Sequence, residues 1–294
     1  MNGNNKIWED LKPFLNKTLV PCIVCGGNDF TTWAKERYLE AKKCKNCGMI
    51  SINPHFTDEG LDFFYQNYFE NRQKNDLLGK QRNEMYSIDR DWVCNYVKEG
   101  TILDIGCSGG FFLNKFSKEN FEREGIEIGQ DAAIHAKENF NIKVYTGYIT
   151  DFELPKQYDL VMMRGVIEHF RDPIKVLEKC SKITKKGGYL FITATPVGDA
   201  FAFEVYREKW RLFTPLEHIH FFTERLLTRV LSGMGFSYVA HHYQYAETPY
   251  ADSDKDYRKI INDIILKDQD RNDEIDSSPP FPGSMITAIW KKTL

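Results

Sequence analysis

From Gly100 onward, short apolar runs alternate with stretches whose apolar positions recur at helical spacing. The runs Thr101–Ile105, Gly125–Ile128, Ile142–Tyr145, Tyr158–Met163 and Tyr189–Thr195 read as buried strands, and Phe111–Lys118, Asp131–Asn139 and Pro173–Ile183 as helices. The last of these helices carries its own punctuation. Asp172 is placed to cap its first turn, Pro173 fits the first helical position, and Gly187-Gly188 lies beyond its end. Alternation of this kind predicts an α/β chain with a parallel sheet covered on both faces and a ligand crevice beyond the carboxyl ends of the strands. Thr223 opens a further helix ended by Gly233 or Gly235, and Phe236–Tyr245 and Met285–Lys291 read as two final strands.

The flanks have different patterns. Residues 1–16 read as a short helical leader, and short strands are expected around Thr31, Thr32, Trp33, Tyr38 and Leu39. Leu61, Phe64, Tyr65, Tyr68 and Phe69 recur near helical spacing, as do Met85, Ile88, Trp92 and Tyr96. The polar interval Asn71–Asn83 is expected to separate these two helices and to be mobile. A connection over 197–222 is rich in aromatics and histidine. An amphipathic helix carrying Tyr257, Ile260, Ile261 and Ile264 precedes a Pro/Ser-rich loop at Ser277–Pro282. The division that results is 1–56, 57–98 and 99–294, with insertions at 197–222 and 246–283.

At 294 residues the chain has room for about two domains of ~150 residues. Its 42% hydrophobic and 28% charged content is that of a soluble globular protein. A formal charge of -3 weighs against nucleic acid as a principal partner. The segment Met1–Lys12 is polar, with Glu9 and Asp10, and no apolar run approaches the ~20 residues of a membrane span. The expectation is a cytoplasmic protein.

Of seven cysteines, four stand in the pattern C-x2-C-x18-C-x2-C, as Cys22, Cys25, Cys44 and Cys47. In an intracellular chain this spacing points to a metal rather than to disulfides. Four thiolates close a tetrahedral zinc shell and leave no open position, so the ion is expected to be structural. Gly26 and Gly48, each directly after a pair, suit knuckles whose backbone N–H groups face the thiolates.

The strand Thr101–Ile105 runs into Gly106-Cys107-Ser108-Gly109-Gly110, and an acid, Glu127, ends the next strand. A glycine turn lets a ligand approach bare backbone. An acid at the following strand end accepts hydrogen bonds from the hydroxyls of a ribose. Together they predict a nucleoside-bearing cofactor. A nicotinamide dinucleotide normally needs three glycines in the phase Gly-x-Gly-x-x-Gly, which the turn lacks.

Over roughly residues 99–245 the chain resembles the class I S-adenosylmethionine-dependent methyltransferases. The resemblance rests on Leu103–Gly110, on Glu127, and on Tyr158-Asp159-Leu160-Val161 leading to Val166-Ile167-Glu168-His169-Phe170-Arg171-Asp172-Pro173. The family usually has Gly at the Ser108 position and an acid at the Tyr148 position. The resemblance implies a Rossmann-like sheet, parallel with a C-terminal antiparallel hairpin, beside a small zinc ribbon. It implies S-adenosylmethionine as cofactor, held by Asp104, Gly106, Cys107, Gly110, Glu127 and Ile128, with Tyr148-Ile149 beside the adenine and Arg164 over the cofactor. With its four-cysteine segment the chain is similar to zinc-bearing sugar methyltransferases of deoxysugar and polysaccharide pathways, and in outline to zinc-bearing ribosomal RNA methyltransferases. The implied acceptor is a small sugar-based molecule. The rival readings are an RNA methyltransferase whose ribbon grips RNA, and a non-catalytic binding module.

Methyl transfer to a hydroxyl is helped by a base that titrates near neutrality. His169 lies just past strand four, and His218 and His220 lie in Pro215–Thr223 after strand five. His169 and His218 are the candidates for the base, His220 less so. His55, His135, His241 and His242 are expected to be surface or structural. The aromatic run Phe63–Phe69 reads first as a helix packing onto the core, with Tyr65 and Tyr68 the candidates should it act instead as a lid, and Trp210 either lines the acceptor pocket or packs. The cluster Lys42, Lys43 and Lys45 reads as a solvated face.

Overall fold

The computed structural model describes residues 3–65 and 76–294. Helix α1 (Gly3–Leu11) leads into strands β1 (Phe30–Glu36), β2 (Leu39–Cys44) and β3 (Ile50–Ile52), then α2 (Asp58–Phe64) and α3 (Asp76–Val93). The α/β part follows as β4 (Gly100–Ile105), β5 (Phe121–Glu127), α4 (Gln130–Phe140), β6 (Lys143–Thr146), β7 (Tyr158–Arg164), α5 (Pro173–Ile183) and β8 (Thr184–Pro196). The rest comprises α6 (Phe201–Tyr206), β9 (His220–Phe221), α7 (Glu224–Gly233), β10 (Phe236–His241), α8 (Ser253–Asp268) and β11 (Met285–Lys292).

The large sheet has the order β10-β11-β8-β7-β4-β5-β6. The pairs β5–β6, β4–β5, β4–β7 and β7–β8 are parallel, while β11 is antiparallel to both β8 and β10. This is the parallel sheet with an antiparallel terminal hairpin that the resemblance implies. Ile102, Leu103, Leu160, Val161, Met162, Met163, Leu190, Phe191 and Ile192 are fully buried, as the unbroken apolar runs require of strands covered on both faces. The chain leaves β4 toward β5 on one side and returns through β7 on the other, so a crevice opens at the carboxyl end of β4.

The helix Pro173–Ile183 forms at its expected bounds. The Asp172 carboxylate accepts from Lys175 N at 3.1 Å, and Val176, Leu177, Cys180 and Ile183 face the core. The expected helix over 111–118 does not form. A single 3-10 turn at Leu113–Lys115 stands in its place. The Arg123 guanidinium donates to the carbonyls of Leu113 and Phe116 at 3.4 and 3.2 Å and so satisfies acceptors that would otherwise call for a continuing helix. Of the polar interval 71–83, residues 71–75 lie outside the described residues, as do Tyr68 and Phe69, and 76–83 form the first part of α3 rather than a break.

The amphipathic pattern of α8 is also realised differently from expectation. Ile260 is buried, but Ile261 is 60% exposed and Tyr257, Ile264 and Ile265 are exposed as well. The face turned inward carries Asp256 and Asp263, which accept from Tyr245 Oη at 2.9 Å and Tyr206 Oη at 2.6 Å.

The cysteine segment forms a four-stranded antiparallel sheet, β1-β2-β3-β9. Its fourth strand comes from the connection after β8. Ile50 pairs with Phe221 and Ser51 with His220, and Ile52 N donates to Ile219 O at 2.8 Å. Leu39, Ala41, Ile50 and Ile52 of the ribbon share one continuous apolar cluster with Val161, Leu190 and Phe221. Among the described residues no helix is long and apolar enough to cross a membrane.

Candidate active site

Strand β4 ends in a turn that only particular residues fit. Gly106 has φ +74°, and a Cβ there would stand 2.7 Å from a Val166 methyl. Gly110 has φ +79°, and its Cβ would meet that of Ala136 at 2.8 Å. Ser108 also holds a positive φ of 48°. Its amide donates to Glu127 Oε2 at 2.8 Å, and Gly129 N donates to Oε1 at 2.8 Å. The Glu127 carboxylate is thereby fixed at the mouth of the turn, and each oxygen keeps a lone pair for a further donor.

Asp104 lies behind this carboxylate and is buried, with no hydrogen-bond partner on Oδ1. Burial pushes its pKa well above the usual carboxylate range; Arg164 opposes that and Glu127 adds to it. An orphaned buried carboxylate oxygen fits a cationic N–H donor brought by a ligand. Cys107 shapes the turn from within. Its amide donates to Ile126 O at 3.0 Å, its carbonyl accepts from Gly110 N at 3.0 Å, and its sulfur packs where a Cβ of Gly125 would lie. Ile128 and Tyr148 sit exposed on the rim and Ile149 is buried beneath it. Tyr148 Oη donates to Asp62 of α2 at 3.0 Å. His135, expected to be surface or structural, has Nδ1 2.9 Å from Gly109 O and so supports the turn.

Arg164, at the end of β7, is clamped rather than free. Its Nε donates to Asp89 Oδ2 at 2.7 Å and its guanidinium lies 4.7 Å from the Tyr86 ring centroid. Asp89 is fully buried on α3 and also accepts from Thr193 Oγ1 at 2.9 Å and Gln244 Nε2 at 2.6 Å. Nothing in the sequence marks Asp89 out from other helical acids, because its partners come from 75 to 155 residues away.

The two candidate bases meet. The rings of His169 and His218 are 5.0 Å apart at 70°. His218 Nδ1 lies 2.9 Å from Leu212 O and 3.0 Å from Thr214 Oγ1. A carbonyl partner calls for a proton on Nδ1. Glu168 is buried and accepts from Thr195 Oγ1 at 3.0 Å, with Oε1 3.9 Å from His169 Nε2. Burial pushes its carboxyl up to about 7. Glu168 was readable as part of a motif but not as a member of this cluster, since its burial depends on the fold. Tyr65 stands near Glu168 and Tyr148, and burial together with their charges raises its phenol.

Other expected candidates fall elsewhere. His220 is buried in the seam between the sheets, with Nδ1 2.9 Å from Ser51 Oγ and Nε2 3.3 Å from Arg171 O, and burial lowers its pKa to about 4. His55 is not on the surface: it is buried in the same seam and lowered to about 3. Trp210 is buried and stacks on Phe203 at 4.4 Å, so it packs.

The four ribbon cysteines converge, with all their sulfurs within 4.8 Å of one another. Cys22 and Cys47 sulfurs are 3.5 Å apart, and those of Cys25 and Cys44 are 3.6 Å apart. Tetrahedral Zn–S bonds of about 2.3 Å place sulfurs about 3.8 Å apart. The nearby lysines have partners in the chain. Lys42 binds Thr32 at 2.8 Å, Lys43 lies 3.9 Å from the Trp33 ring centroid, and Lys45 pairs with Asp29 at 2.9 Å.

A family profile described as a methyltransferase domain matches residues 70–241. Together with the sheet order and the glycine turn, this places the chain in the methyltransferase domain family. Ubiquinone biosynthesis O-methyltransferase of Aliivibrio fischeri is 30% identical over 113 residues, 34% of this chain and 48% of the relative. The chain thus spans about half the length of the curated relatives it matches. Among solved structures, an S-adenosylmethionine-dependent methyltransferase of Thermotoga maritima, described as a possible histamine N-methyltransferase, superposes with a TM-score of 0.52 at 17% identity over 79% of this chain and 99% of that one. Magnesium protoporphyrin IX methyltransferase of Synechocystis gives 0.52 at 13% identity over 79% and 97%. These likenesses establish the fold.

Proposed function

We propose that the protein methylates a hydroxyl of a small sugar or nucleotide-linked sugar, using S-adenosylmethionine. The observation that carries the reading is the Glu127 carboxylate, held by the Ser108 and Gly129 amides at 2.8 Å each, beside the orphaned Oδ1 of Asp104. Glu127 would take the ribose hydroxyls, Asp104 the amino group, and the turn Gly106–Gly110 the methionine end, with Ile128, Tyr148 and Ile149 along the adenine. When bound, S-adenosylmethionine supplies an electrophilic methyl group. His218 would remove the acceptor proton, with His169 beside it as the alternative base. Arg164, clamped by Asp89, would lie over the cofactor. Zinc in the four-cysteine cluster would be structural. The sugar class is supported by the resemblance of the four-cysteine segment to that of zinc-bearing sugar methyltransferases. A phenolic hydroxyl is the second reading, favoured by the ubiquinone-pathway relatives.

Calorimetric titration with S-adenosylmethionine tests the cofactor site. Glu127→Ala should weaken binding by roughly 10- to 100-fold, the loss of charge-assisted hydrogen bonds of ~1.5–3 kcal/mol. Unchanged affinity would remove the assignment. With labelled methyl donor and a panel of nucleotide sugars and phenols, His218→Ala should lower turnover by about 10²–10⁴ while binding the cofactor normally. A His218→Ala, His169→Ala double variant with full turnover would show that neither is the base.

A further inference from the structure

Helix α8 turns its apolar stripe to solvent. Tyr257, Ile261, Ile264 and Ile265 are each 40–60% exposed. At 3.6 residues per turn they fall within about 100° of one another around the helix. Ring contacts carry the patch beyond the helix. Tyr257 lies 5.4 Å from Phe281, and Phe281 lies 5.3 Å from the exposed Phe201. Single exposed apolar side chains are ordinary, but a contiguous patch of this kind marks a contact surface.

The opposite side of α8 is held down along its length. Asp256 and Asp263 accept from the Tyr245 and Tyr206 hydroxyls, Lys259 pairs with Asp263 at 2.7 Å, and Lys267 donates to Val205 O at 2.7 Å. Rolling the isoleucines inward would break these bonds and leave buried tyrosine hydroxyls without acceptors. A cover for the stripe therefore has to come from another molecule.

The charges at its two ends select that molecule. Arg258 lies on the same face before the isoleucines and Asp268 after them. Both are exposed, and among the described residues neither forms an ion pair. Two copies of the helix laid antiparallel, with a two-fold axis level with residue 263, bring Arg258 of each opposite Asp268 of the other and Ile261 opposite Ile265. Ile264 falls near the axis, and Asp254, one turn before Arg258, falls opposite Asn272. Each pairing is then made twice, as a two-fold interface requires. A parallel pairing would set Arg258 against Arg258 and Asp268 against Asp268. A lipid surface suits the patch less well. Helices that lie on membranes carry Lys and Arg beside an uncharged apolar face, whereas α8 places Asp254 and Asp268 on that face.

We propose that the protein forms a two-fold dimer through α8, with the isoleucine stripes of two antiparallel copies in contact and an Arg258–Asp268 pair closing each end. A contact centred on one helix of roughly 24 Å belongs to the small, weak class of interfaces, so the expected dissociation constant is about 1–100 μM. Equilibrium sedimentation of the full-length protein, from about 1 to about 500 μM, should show the mass rising from one protomer toward two. Ile261→Lys, which sets a charge in the middle of the stripe, should leave the protein monomeric throughout. Arg258→Asp and Asp268→Arg should each weaken association by about ten-fold or more, because each brings like charges together. An equal mixture of these two variants should recover it, because Asp then faces Arg at both ends. Thermal denaturation at submicromolar concentration, where the protomers are apart, should be unchanged in all three, which separates loss of contact from loss of fold. If Ile261→Lys fails to fold, the two charge variants and their mixture decide. A monomer at about 500 μM, a dimer indifferent to Ile261→Lys, or a mixture that fails to recover association overturns the proposal. So does flotation of the wild-type protein with phosphatidylserine-containing vesicles in the absence of self-association. None of these readouts involves methyl transfer.

Discussion

Glu168 shows how one side chain couples burial to pH. Its carboxyl ordinarily titrates at 4.5 and is pushed up to about 7 because the surrounding core penalises its charged form. Between those values the unfolded chain has already released the proton that the folded chain retains. Stability contributed by the protonated form is therefore complete below about 4.5, falls as pH rises, and is gone above about 7. The displacement corresponds to on the order of 3 kcal/mol. Glu168→Gln, which still offers Thr195 an acceptor, should match the wild-type protein at about pH 4.5 and gain on it steadily toward about pH 8. Urea denaturation at several pH values measures this, and a constant difference across the range would mean that the carboxyl titrates normally. The glycine turn and Glu127 were legible from composition and order because their roles are local: backbone conformation and an acid one strand away. Glu168 and Asp89 were not, because what distinguishes them is burial and partners supplied by distant segments.

At the scale of elements, α5 was readable to the residue because its cap, its first-turn proline and its apolar face are all local. The segment 111–118 was misread because the signal that ends the helix, Arg123, lies after it in the chain and acts through carbonyls. α8 misleads in a different way. Period alone locates its apolar stripe but not the side to which the stripe turns, and buried tyrosine hydroxyls at Tyr245 and Tyr206 draw the acidic face inward. The mutational pattern should therefore be the reverse of an ordinary amphipathic helix. Ile261→Lys should change stability by no more than about 0.5 kcal/mol, as for exposed sites. Asp263→Ala, which strands the Tyr206 hydroxyl, should cost about 1–3 kcal/mol. Thermal denaturation of the two variants distinguishes this from an inward-facing isoleucine, for which the ranking would invert.

For the whole molecule, the parallel sheet and the grouping of the cysteines followed from pattern, and the antiparallel hairpin from the family resemblance, but the joining of the two sheets did not. Strand β9 is only two residues long, His220 and Phe221, too short to carry a period. It begins two residues after His218, so the order of the ribbon and the position of that imidazole are linked. Removing the proposed zinc with a chelator should release the cysteine knuckles and loosen β3 and β9 together. Turnover should then fall further than S-adenosylmethionine affinity, because the turn around Glu127 rests on the large sheet alone. Parallel losses in both, measured by labelled-methyl assay and calorimetry, would show that the ribbon supports the entire fold instead.

The pairing of Ile50 with Phe221 sets limits on how this protein can be dissected. A fragment starting near residue 57 would present the backbone of the β9 segment and a raw greasy surface where Leu39 and Ile50 had been, an invitation to clump with neighbouring molecules. The amino-terminal module is therefore no detachable cassette: transplanting it onto another enzyme, or trimming it for expression, would require carrying the returning strand along.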